Sequence, residues 1–201
     1  YSLDTVKDSD GNYTAPSADV ILSYVRNKIL LDAAEDEGIT VSSKEMKQYA
    51  EDFSPTESES LMLIGNAGLG KTHAALAIAG LVLEQGHDVI YVSSPDFFGK
   101  IEASRFDPSG DADTLLRTAS TADLLILDDL GTEFVTPYFI TVFYSLLNNR
   151  LGAGLPTIIT TNITDGALLE KRYTEKISSR LSAFIPFRFL GEDIRPQKAS
   201  E

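Results

Sequence analysis

Leu61-Met62-Leu63-Ile64-Gly65-Asn66-Ala67-Gly68-Leu69-Gly70-Lys71-Thr72 runs directly into His73-Ala74-Ala75-Leu76. The first four residues are an apolar run suited to a buried strand. Gly65 to Thr72 complete the pattern G-x-x-x-x-G-K-[ST], with Asn66, Ala67 and Leu69 in the variable places. Glycines let the backbone turn tightly, so that successive N–H groups converge on a phosphate chain. A lysine in the Lys71 place reaches the β- and γ-phosphates, and the Thr72 hydroxyl is suited to Mg²⁺. His73 to Gln85 is rich in Ala and Leu and predicts a helix, closed by Gly86. Strand, glycine loop and helix together aim a helix N-terminus at an anion.

Working outward, the same alternation continues. Asp88–Val92, Leu124–Asp128, Thr157–Thr161 and Phe184–Leu190 read as further strands. Between them, helices are expected from Ser94 or Pro95 to about Ser104, near 112–119, from Thr136-Pro137 to about Leu151, and in two short pieces near 165–170 and 174–182. Residues 105–110 read as a polar loop. Continuous apolar strands alternating with helices argue for a parallel α/β sheet covered on both faces, with ligands at the carboxyl ends of the strands. Upstream, Ser17–Glu37 and Ser43–Phe53 predict two helices that precede the first strand, with Gly38 ending the first of them.

Composition narrows the function classes. The chain has 201 residues, no cysteine and a formal net charge of −13. Disulfides and thiolate metal sites are excluded, and a protein that coats DNA generally is disfavoured. No apolar run approaches the ~18 residues of a membrane helix, and a cytoplasmic protein without membrane partners is expected. Bases gather late: residues 150–201 hold 8 against 6 acids. That is either an uneven solvated surface or a quarter carrying arginines for phosphates.

Three further stretches bear on chemistry. Leu124-Leu125-Ile126-Leu127 ends in Asp128-Asp129. Two carboxylates at a buried strand end are costly unless they serve a cation. The first acid of such a pattern helps hold Mg²⁺, and the second can orient or deprotonate a water. Alternatively, both simply begin a turn. Asn162, after Thr160-Thr161, can bond a γ-phosphate or the attacking water, or be a plain turn residue. Arg180 is either a fork-shaped phosphate ligand or a surface arginine. Phe97, Phe98, Lys100 and Arg105 interleave aromatics and bases as single-strand stacking requires, unless the two phenylalanines are core.

The combination Gly-x-x-Gly-Leu-Gly-Lys-Thr-His, Leu-Ile-Leu-Asp-Asp-Leu-Gly, Thr-Thr-Asn and Ile-Ser-Ser-Arg-Leu resembles the AAA+ ATPase domain of bacterial helicase loaders of the DnaC and DnaI type. It is similar also to the related transposition helper IstB. The resemblance covers roughly residues 45–195. It implies a three-layer αβα sandwich with a five-stranded parallel sheet of order 5-1-4-3-2, a linker and helical preface over 1–44, and a tail over 196–201. It implies ATP or ADP bound by Gly65–Thr72 with His73 and Arg195, Mg²⁺ on Thr72 and Asp128, and catalysis by Lys71, Asp128, Asp129, Asn162 and Arg180. In that family Asn162 is the sensor, and Arg180 is a finger acting on a neighbouring subunit's nucleotide. A ring or spiral assembly follows, with hydrolysis that is weak alone, and with the hexameric replicative helicase and single-stranded DNA as partners. Only about ten residues follow Leu190, so no helical lid is expected. The family's helicase-binding domain has no counterpart in the sequence, so an excised ATPase domain is expected. Rival readings are an IstB-like transposition helper, a small-molecule kinase and a non-hydrolysing scaffold. The kinase is disfavoured because residues 93–123 carry only Lys100, Arg105 and Arg117 as bases.

Overall fold

A computed structural model describes residues 44–105 and 111–190. The expected helix over 17–37, the loop residues 106–110 and Arg195 lie outside the described residues. The elements run α1 (Lys44–Glu51), β1 (Leu61–Ile64), α2 (Lys71–Glu84), β2 (Val89–Ser93), α3 (Ser94–Ala103) and α4 (Asp111–Thr121). They continue with β3 (Leu124–Leu130), α5 (Pro137–Ala153), β4 (Thr157–Thr161), α6 (Gly166–Leu181) and β5 (Ile185–Arg188).

The five strands form one parallel sheet of order β2-β3-β4-β1-β5, the expected 5-1-4-3-2 arrangement read from its other edge. The central strands β1 and β4 are buried throughout, which is why they read as unbroken apolar or threonine runs. The edge strands β2 and β5 are only partly covered. Pro186 sits in β5, where one side needs no ladder donor.

Alternation along the strands divides the core. Leu61, Leu63, Leu124, Ile126 and Ile158 face α1 and α2, meeting Met46, Ala50, Ile78 and Val82. Met62, Ile64, Leu125, Leu127 and Ile159 face the other layer, meeting Phe98, Phe143, Tyr173 and Ile177. Phe97 and Phe98 are each 4% exposed within this second core. The core alternative therefore holds for both rings. Their edge-to-face packing extends from Phe98 to Phe139 and Phe143. Lys100 and Arg105 do lie on the surface, the Arg105 guanidinium 4.4 Å from the centre of the Tyr138 ring.

The expected pair of short helices near 165–170 and 174–182 is present as two helical pieces joined at a kink, both within α6. Thr174 has φ 78° and ψ 154° inside α6. The expected strand 124–128 continues to Leu130, and its pairing with β4 shifts register between Leu127 and Leu130. That irregularity falls on the two acids.

Candidate functional site

The glycine loop joins the carboxyl end of β1 to α2. Gly68 and Gly70 have φ of 78° and 82°, the left-handed region in which a side chain is strained. A Cβ on Gly65 would stand 2.6 Å from the Phe189 carbonyl oxygen, so the end of β5 lies directly against the start of the loop. Gly70 precedes α2 without a side-chain cap, which leaves the first N–H groups of the helix as the donors an anion seeks.

Lys71 is 6% exposed. Its ammonium folds back over the loop, donating to Gly65 O at 2.8 Å and Asn66 O at 2.8 Å, and to Asn162 Oδ1 at 2.7 Å. Asn162 stands on the loop after β4, and the sheet order sets β4 beside β1. Residues 91 positions apart thus meet because their strands are neighbours. Asn66, Ala67 and Asn162 are exposed, Gly68, Leu69, Gly70, Thr72 and His73 half-buried.

Asp128 is 4% exposed and gathers three hydroxyls. Thr72 Oγ1 lies 3.0 and 3.1 Å from its two oxygens. Tyr91 donates at 2.7 Å and Thr160 at 2.6 Å. Burial raises the Tyr91 phenol pKa, and the Asp128 charge and bond raise it further, so the proton stays on the phenol and points at the carboxylate. Among the described residues, no group of three or more His, Cys, Asp and Glu side chains could hold a metal. The hydroxyl of Thr72 beside the carboxylate of Asp128 is instead a partial shell of hard oxygens. Such a shell fits an Mg²⁺ ion whose remaining ligands are phosphates and water.

Asp129 does take part in a turn. It has φ 57° and is exposed. Its carbonyl accepts from Thr132 N at 3.3 Å and Thr132 Oγ1 at 2.9 Å. Its N–H is held by Thr160 Oγ1 at 2.9 Å. Thr160 therefore fastens both acids at once, and the register shift of β3 is what turns Asp129 out to solvent beside the buried Asp128.

Arg180 is not brought to this cluster. Its guanidinium lies on α5, 3.1 Å from Tyr144 Oη and 3.3 Å from Asn148 Oδ1, and 5.4 Å from the Tyr144 ring centre.

Sequence reading missed several side chains around the site, Tyr91, Thr160 and Glu133, and the buried Arg150 at the opposite end of β4. Thr160 carried a weak signal, being a hydroxyl in the otherwise apolar-flanked run Thr157–Thr161 that reads as a buried strand. Arg150 is 1% exposed and donates to Thr157 Oγ1, Ala119 O, Ala122 O and Pro156 O. Burial lowers its pKa to about 10, still well above neutrality, so it is a buried cation clamping the start of β4.

The family described as IstB-like ATP binding protein matches residues 40–171. The chain is 27% identical over 128 residues to the replicative helicase loader DnaC of Escherichia coli K12, covering 64% of this chain and 52% of that protein. It is 30% identical over 129 residues to the replicative helicase loader DnaI of Bacillus subtilis, covering 61% and 41%. The chain thus spans about half the length of the relatives it matches. Among solved structures, the crystal structure of the DnaC helicase loader superposes with a TM-score of 0.65 at 24% identity, over 73% of this chain and 86% of that one. That likeness concerns the fold.

Proposed function

We propose that this chain, which belongs to the IstB-like ATP binding protein family, is the ATPase part of a loader that delivers a hexameric replicative helicase to single-stranded DNA. The supporting observation is the junction of three separated segments at one place: the start of α2, whose Lys71 bonds Asn162 after β4 and whose Thr72 bonds Asp128 on β3. Similarity to two helicase loaders points from ATP binding to this use of it.

In this reading the loop N–H groups and the Lys71 ammonium bind the phosphates, with His73 and Arg195 as further nucleotide contacts. Thr72 and Asp128 hold Mg²⁺, which neutralises phosphate charge when bound. Asp129, turned to solvent, orients the attacking water and accepts its proton. Asn162 bonds the γ-phosphate or that water. Arg180 serves the site of a neighbouring copy in a ring or spiral, where its guanidinium stabilises transferred charge. Residues 45–195 form the ATPase domain, and turnover is slow until assembly brings the finger.

The test is phosphate release with ATP and Mg²⁺, alone and with a replicative helicase and single-stranded DNA. Stimulation by both together is expected. No release under any of these conditions defeats the ATPase reading. The IstB description of the family supports a second reading, a transposition helper. It predicts stimulation by duplex DNA and not by single strands.

A further inference from the structure

We infer that Glu133, which touches no nucleotide-binding residue directly, is a positioning residue for ATP turnover: it holds the turn that presents Asp129. The inference rests on the ATPase reading above.

Glu133 is 4% exposed. A buried carboxylate is costly and persists only when donors surround it. Here they come from three separate elements, and the two oxygens face different ways. Oε2 accepts from Gly131 N at 3.0 Å and from Ser94 Oγ, the fully buried first residue of α3, at 3.0 Å. Oε1 accepts from Arg172 Nε at 3.4 Å and from the Tyr173 hydroxyl, both on α6 just before its break.

The Oε2 side acts on the site. Asp129 holds φ 57° and Gly131 φ 117°. A non-glycine residue in the left-handed region is strained and stays there only when its surroundings over-determine it. Other bonds also fasten this turn, among them Asp129 N to Thr160, Thr132 N and Oγ1 to Asp129 O, and Thr161 Oγ1 to Leu130 O. Gly131 N–H is anchored by Glu133. Loss of that acceptor frees the far side of the turn and lets Asp129 relax out of its presented position. The Oε1 side ties the same carboxylate to α6, the helix that carries Arg180. Its loss leaves Gly131 bonded.

The two sides separate a positioning role from a merely structural one. Glu133→Gln removes the charge and one acceptor oxygen, and Glu133→Leu removes both acceptors at similar bulk. Tyr173→Phe removes a donor on the Oε1 side only. In steady-state phosphate release, Glu133→Leu is expected to lower kcat at least tenfold and Glu133→Gln, whose amide oxygen can still accept from Gly131, to lower it less, both with the affinity for a fluorescent ATP analogue within twofold of wild type. Tyr173→Phe is expected to keep kcat within threefold even where it lowers the melting temperature as much. Amide hydrogen exchange of the nucleotide-free protein gives a readout independent of activity. Exchange at Gly131 is expected to quicken about tenfold in Glu133→Leu, which leaves no acceptor, and to stay unchanged in Tyr173→Phe. Wild-type kcat in a folded Glu133→Leu, unchanged exchange at Gly131 in that variant, or a Tyr173→Phe loss equal to that of Glu133→Leu overturns the inference. A wild-type protein without turnover, yet with the expected exchange pattern, instead defeats the ATPase reading.

Discussion

Replacing Lys71 by Met keeps the length of the stem and removes the ammonium, with two separable consequences. The first concerns stability without nucleotide. The ammonium makes three short bonds, to Gly65 O, Asn66 O and Asn162 Oδ1. A hydrogen bond to a charged group contributes about 1.5–3 kcal/mol, so the three together are worth about 5–9 kcal/mol. Burying an ammonium costs several kcal/mol and offsets most of that. The net loss is about 1–3 kcal/mol, which lowers the melting temperature by roughly 3–10 °C in a chain of this size. The second consequence concerns ligand. ATP with Mg²⁺ at 100 times its Kd stabilises the wild type by about 2.7 kcal/mol, a rise of roughly 5–10 °C. Lys71→Met is expected to show a rise below about 1 °C on that scale. Differential scanning fluorimetry with and without ATP reads both quantities. A Lys71→Met protein with the wild-type rise on ATP refutes the assignment of the loop. An unchanged melting temperature without nucleotide refutes the account of the three bonds.

Asp128→Asn keeps one acceptor oxygen for the three donors Thr72, Tyr91 and Thr160; phosphate release is expected to fall at least about 100-fold, in line with the loss of one well-placed electrostatic group, and a tenth of wild-type turnover removes Asp128 from the mechanism. Arg150→Met strands three carbonyl oxygens and the Thr157 hydroxyl, so urea unfolding at neutral pH is expected to show a loss of about 3–5 kcal/mol, and a loss below about 1 kcal/mol contradicts the clamp. Arg180→Ala is expected to abolish stimulated turnover on its own and to recover it when mixed with Lys71→Met, since one copy keeps the finger and the other the site. Failure to recover in a mixed assembly places the arginine's effect elsewhere.

Much of the architecture was legible because its signals are local. Leu61–Ile64, Leu124–Leu127 and Ile158-Ile159 declared buried strands by unbroken apolar runs, and Gly86 and Pro137 marked helix ends through their own backbone limits. Two short helices were expected near 165–170 and 174–182, and the kink that separates them falls at Thr174. The start of α2 was read two residues late because Lys71 and Thr72 belong both to the loop pattern and to the first turn of the helix. Side chains that matter through distant partners were harder to see. Glu133 resembles any exposed acid in a polar loop, and Arg150 any cation on a helix.

The sequence alone determined the alternation of strands and helices, the glycine loop, the acids near the end of β3 and the separate motifs that carry the likeness to the loader family, since each depends on residues within one or two turns of each other. Tertiary structure decided which polar groups meet. The order β2-β3-β4-β1-β5 brought Asn162 to Lys71 and Thr160 to both acids. It drew Phe97 and Phe98 into the core, sealed Glu133 and Arg150 inside, and left Arg180 against Tyr144. The physical reason is that hydrophobic period and turn chemistry act between near neighbours. The partner that satisfies a buried charge is chosen by strand order, across separations of up to 91 residues.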